Sequence, residues 1–146
     1  GYYPNELHLH LLNESLKSKE LERLCNYSLK PFYKAKFNIA NKAMSEFFDK
    51  KYPYFYVKPE GGTNLFFYFK ELPMNGRILF DLLLRKNILA IPGYPFFGER
   101  KNNYRFPSHT IMLNLGAQDE AIIGAIDGLS SILNKSFMHT EANPWM

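Results

Sequence analysis

The segment Leu65-Phe66-Phe67-Tyr68-Phe69 restricts the fold more than any other. It is apolar or aromatic at every position. It is too short to be a helix of its own, and bulky aromatics of this kind suit a pleated, buried surface. Lys58-Pro59-Glu60-Gly61-Gly62 is a strong turn signal before it, and Glu71-Leu72-Pro73 closes it. The run is therefore expected to be a buried strand, and a strand requires partners. Tyr52–Val57, Ile88–Ile91 and Thr110–Leu115 are the expected ones.

The rest of the chain reads as helix. Residues 6–16 are helical in pattern, and Lys19–Asp49 is a long helical region. In the latter, Leu21, Leu24, Cys25, Leu29 and Phe32 recur every three or four residues, and Phe37, Ala40, Met44, Phe47 and Phe48 continue that face. Pro31 lies inside it, removes one backbone donor and should kink or split the helix. Asn75 can cap a helix through Ile78–Leu84, and Asn87 is a left-handed stop. Ile122, Ala125, Ile126, Leu129, Ile132 and Leu133 form the stripe of a last helix, with Asp119 and Glu120 in its first turn. Lys135 is expected just beyond its end. The expected architecture is α+β: a small, mostly antiparallel sheet with helices packed on one face. Residues 1–135 form one domain led by the helical region 1–50, and 136–146 form a C-terminal tail.

Composition excludes several classes. The chain has 146 residues, 46% of them hydrophobic and 16% aromatic, which supports one core and argues against disorder. No apolar run approaches the roughly 20 residues of a membrane helix, and no signal peptide is visible. With one cysteine, Cys25, no internal disulfide can form, which fits a cytoplasmic location. Cys25 lies on an apolar helical face and reads as a small core residue. The net charge of +4 is not gathered into a stripe with exposed aromatics, so no nucleic-acid partner is expected. The one tight basic cluster is Arg100, Lys101 and Arg105.

Self-contained catalytic constellations are also missing. His8 and His10 are two apart, which on a helix turns them to different faces and makes a poor metal pair. His109 and His139 have no obvious partner, and Ser130-Ser131 lies within the last helix without a base.

Four segments, in order, resemble the C-terminal small domain of the class I, fold-type I pyridoxal-phosphate (PLP) aminotransferases, and above all the valine–pyruvate type. Lys30-Pro31-Phe32-Tyr33 resembles the end of the helix before that domain's first strand. Lys58-Pro59-Glu60-Gly61-Gly62, with the aromatic strand and Phe69-Lys70-Glu71-Leu72-Pro73, resembles its "PEG…W-x-F-K-D-L-P" stretch. Ile91-Pro92-Gly93-Tyr94-Pro95-Phe96-Phe97 resembles its "V-P-G-x-x-F-F" loop. His109–Leu115, with the helix from Asp119, resembles its final strand and helix. The resemblance covers roughly residues 7–134.

The resemblance implies a domain that closes over the substrate of an enzyme moving an amino group between an amino acid and a 2-oxo acid. It implies PLP in the intact enzyme and none on the isolated chain, since the Schiff-base lysine belongs to a large domain. It further implies that large domain as a partner, a homodimer, and small-molecule substrates. The family's "M-R-M-N" stretch falls on Ile111-Met112-Leu113-Asn114. Met112 thus stands where the resemblance places an arginine that binds the substrate α-carboxylate at two points. Asn64 replaces an aromatic in the same way. Tyr94, Phe96 and Asn114 are expected to line the substrate site, with Arg100 and Arg105 as replacement carboxylate binders. The alternative is a non-catalytic interaction module derived from that domain.

Overall fold

The computed structural model describes residues 5–48, 54–56, 58–97 and 107–142, the last helix with side chains to residue 137. Helices α1 (Glu6–Lys17), α2 (Glu20–Leu24) and α3 (Lys30–Phe47) lead. Strands β1 (Tyr54–Tyr56) and β2 (Asn64–Phe69) follow, then helix α4 (Gly76–Leu84), strand β3 (Ile91–Pro92), strand β4 (Thr110–Asn114) and helix α5 (Asp119–Ala142). The strands form one antiparallel sheet in the order β1-β2-β4-β3. The α+β architecture is as the sequence implies.

Local signals set the helix ends. The Asn5 side chain accepts from Leu7 N at 3.0 Å, and the Asn75 side chain accepts from Arg77 N at 2.8 Å. Each satisfies a backbone donor that has no partner inside its helix. Asn87, at φ 60°, stops the chain after α4.

Between α2 and α3 the chain makes a π-helical turn, Cys25–Leu29, in which Lys30 N donates to Cys25 O. Pro31 follows at once. Proline in mid-helix removes a donor and crowds the carbonyl four residues back. The wider turn relieves that crowding, and it divides the helical run into α2 and α3 just ahead of the proline. Lys30-Pro31-Phe32-Tyr33 consequently opens α3, where the resemblance placed these residues at a helix end.

The core lies between one sheet face and the helices. Leu65, Phe67, Phe69 and Ile111 from the sheet are at most 1% exposed. They meet Ala40 and Met44 of α3, Leu79 and Leu83 of α4, and Ile126, Leu129 and Leu133 of α5. Two polar contacts fix α3 against α5. Ser130 Oγ donates to Phe47 O at 2.6 Å. Lys36 Nζ donates to Ala117 O at 2.8 Å and to Asp119 Oδ1 at 2.6 Å, and lies 5.2 Å from the Phe32 ring centre.

Five further expectations change. The Leu65–Phe69 run is not buried on both sides, because only alternate residues enter the core. The expected Ile88–Ile91 strand shrinks to Ile91–Pro92, since Ile88 turns toward Gly128 of α5. Helix α5 runs past Lys135 to Ala142, and half-buried Phe137 packs against the core. The apolar face of the leading region is buried only in its later half: Leu24, Leu29 and Phe32 are exposed. Cys25 is exposed as well, because the π turn buries no residue.

Candidate functional site

A strand has two faces, and here the second one carries Asn114, one of the expected lining residues. Opposite the core, β2 and β4 present Asn64 beside Asn114, Phe66 beside Met112, and Tyr68 beside Thr110. Ile91 of β3 flanks Met112, and Phe55 of β1 flanks Tyr68. The Phe55 and Tyr68 rings stack at 17° with centres 6.2 Å apart.

The turn after β3 folds back over this face. Gly93 N donates to Thr110 O at 2.8 Å. The contact is so close that a Cβ on Gly93 would lie 2.5 Å from Thr110 Cβ. Gly93 has φ −72°, so glycine is needed here for space and not for a left-handed backbone. A 3-10 turn, Tyr94–Phe96, follows. It sets Phe96 and Phe97 edge-on to Phe66, with ring centres 5.8 and 6.3 Å away. Edge-to-face packing of this kind is a favoured aromatic geometry. Met112, beneath it, is 9% exposed.

The expected lining residues divide into two groups. Tyr94 and Phe96 sit together on the turn, 51% and 54% exposed. Asn114 lies at the other end of the face, where its side chain is held twice. It donates to Asn64 Oδ1 at 3.0 Å and accepts from Gly116 N at 2.7 Å. Arg100 and Arg105 lie outside the described residues. The Lys58–Gly62 turn borders the Asn64 end, where Gly62 takes the left-handed φ of 87° that the glycine pair foreshadows. Lys58, Glu60, Asn64 and Phe66 line a cleft of about 500 Å³ there. Sequence reasoning did not single out Lys58 or Asn64 as site residues. The available signal was the turn at Lys58–Gly62 together with the strand period, which puts Asn64 on the face of Phe66.

On the core side, a groove of about 670 Å³ separates the Lys86–Leu89 segment from the first half of α5. Its donors do not make a PLP site. Lys86 reaches toward Ser131 Oγ at 3.5 Å, Asn87, Asn114 and Asp127 also line the groove, and the rest of the wall is mainly apolar, with Leu65, Leu113, Ile122 and Ala125. Such walls offer no convergent donors for a phosphate. Tyr54, on the core side of β1, has its phenol pushed above the usual value, first by burial and then by its neighbour Tyr56. Among the described residues no group of His, Cys, Asp and Glu could hold a metal ion. No described helix is long and apolar enough to cross a membrane.

No family model matches the chain. Valine–pyruvate aminotransferase of Escherichia coli (strain K12) is 23% identical over 131 residues, 90% of this chain but 31% of that protein. Valine–pyruvate aminotransferase of Salmonella typhimurium LT2 superposes with a TM-score of 0.76 at 22% identity, over 86% of this chain and 32% of its own. LysN, the α-aminoadipate aminotransferase of Thermus thermophilus, solved with N-(5'-phosphopyridoxyl)-L-leucine, gives a TM-score of 0.64 at 24% identity, over 88% and 30%. The chain thus spans less than a third of the length of the E. coli relative. It is homologous to part of valine–pyruvate aminotransferase and has the α+β fold of the aminotransferase small domain.

Proposed function

We propose that this chain is the C-terminal small domain of a PLP-dependent aminotransferase. The enzyme exchanges an amino group between an amino acid and a 2-oxo acid, and is of the valine–pyruvate type. The observation that carries the reading is the match to about a third of such an enzyme by sequence and by fold together. The cofactor supplies the electron sink for amino-group transfer. Its Schiff-base lysine and phosphate donors are assigned to a large domain beyond this chain, since the groove at Lys86 does not fit it. This chain's part is to cover and orient the substrate. Tyr94, Phe96 and Asn114 line the mouth, and Arg100 and Arg105 engage the carboxylate in place of an arginine at position 112.

Helix α1 supports a large partner. It buries no residue, yet Leu9, Leu12 and Leu16 share one side and Leu7 and Leu11 another, all 47–61% exposed. A helix apolar on two sides is normally enclosed. The large domain is the proposed cover, in a cytoplasmic homodimer.

Met112 favours a second reading, a non-catalytic module, because a thioether cannot pair with a carboxylate. One chimera separates the two. The chain replaces the matching third of the E. coli enzyme, and valine–pyruvate transamination is assayed. Turnover well above that of the truncated enzyme is expected. A folded, PLP-loaded chimera with no turnover would sink the catalytic reading and leave the module.

A further inference from the structure

The sheet face beside Met112 ends in polar donors whose direction can be worked out. A backbone nitrogen only donates, so the Asn114 atom that meets Gly116 N at 2.7 Å is its side-chain oxygen. The Asn114 amide nitrogen therefore faces Asn64, 3.0 Å away, and the atom it meets there is the Asn64 oxygen. This leaves the Asn64 NH2 turned away from Asn114, with its N–H groups unspent among the described residues. Asn64 lines the cleft that also holds Lys58, which has no ion-pair partner among the described residues. Phe66 and Glu60 line the same cleft.

The geometry points to a carboxylate subsite in this cleft. The Lys58 ammonium and the Asn64 amide take the acid's oxygens, and the Phe66 ring covers the adjoining carbon. The cleft holds one cation, one neutral donor and one carboxylate, Glu60, so a monoanion meets less repulsion there than a phosphate dianion would. Arginine provides both charge and a two-point fork. Here those two roles fall to Lys58 and Asn64, on a face where Met112 provides neither. This cleft is a carboxylate contact additional to the role proposed above for Arg100 and Arg105. The identity of the acid, an amino acid or 2-oxo acid, rests on the proposed function; the donor set does not.

The test is a titration of the 15N-labelled 146-residue chain with pyruvate and, in parallel, with its uncharged methyl ester. With pyruvate, the Asn64 and Asn114 side-chain amides and the Gly116 backbone amide should shift saturably, with millimolar affinity. The ester should leave them unmoved. Asn64→Leu should abolish the response, and Lys58→Gln should weaken it about tenfold. Glu60→Gln should tighten it about threefold by removing a like charge. Opposite effects at two neighbouring charges cannot come from a loss of folding. No saturable shift, equal shifts with the ester, or pyruvate binding unchanged in both Asn64→Leu and Lys58→Gln would each overturn the subsite. Failure of the aminotransferase reading looks different: the chimera is silent while the chain still binds pyruvate at Asn64.

Discussion

Replacing Gly93 with alanine tests how the turn after β3 is held on the sheet. The new methyl would lie 2.5 Å from Thr110 Cβ, 3.1 Å from Thr110 Cγ2 and 3.2 Å from Pro107 O, where ordinary contact begins at 3.4 Å. The nearest atom is a β-carbon fixed to strand β4 and cannot swing aside like a side-chain tip. The turn must instead retreat by about 1 Å, which stretches the 2.8 Å bond from Gly93 N to Thr110 O. Overpacking of this kind costs about 1–3 kcal/mol. For a chain of this size that is a fall in melting temperature of roughly 3–10 °C. Gly61→Ala is the control: nothing lies within 4 Å of its added methyl. That variant should keep its stability or gain up to about 1 kcal/mol. Urea unfolding followed by far-ultraviolet circular dichroism measures both. A Gly93→Ala protein within about 0.5 kcal/mol of the parent would refute the close-approach argument.

Ser130→Ala leaves the Phe47 carbonyl without its 2.6 Å donor and should cost about 1–2 kcal/mol in the same assay. Lys36→Met removes both bonds to the start of α5 and should cost about 0.5–1.5 kcal/mol, less at high salt. Tyr54, with its phenol raised by burial, favours the folded state while protonated. That contribution is complete below the ordinary value of 10.0 and is lost as pH rises through the higher folded value. Unfolding free energies at pH 9 and 11 should therefore fall less steeply in Tyr54→Phe. Incubating the chain with PLP, reducing with borohydride and reading the intact mass should give no stoichiometric adduct. A single modified lysine would refute the placement of the Schiff base outside this chain.

Sequence alone determined the features whose cause lies within a few residues. Asn5, absent from that reading, shows the limit even there, but Asn75 as a cap, Asn87 as a left-handed stop and Asp119 in a first turn were legible. Each acts on backbone groups next to it. The α+β class was legible too, because strand and helix periods differ and each run shows its own. Tertiary structure decided what covers each apolar face. Periodicity marks Leu24, Leu29 and Phe32 as one side of a helix, but burial depends on what packs there, and within this chain they stay exposed. Leu65–Phe69 is apolar on both sides for two different reasons: Leu65, Phe67 and Phe69 fill the core, while Phe66 receives Phe96 and Phe97 from a turn some thirty residues on. The site followed the same rule. Asn64 and Asn114 are fifty residues apart, and only the β2–β4 register makes them neighbours. Register is fixed by burying one whole face at once, a non-local condition that no short stretch of sequence contains.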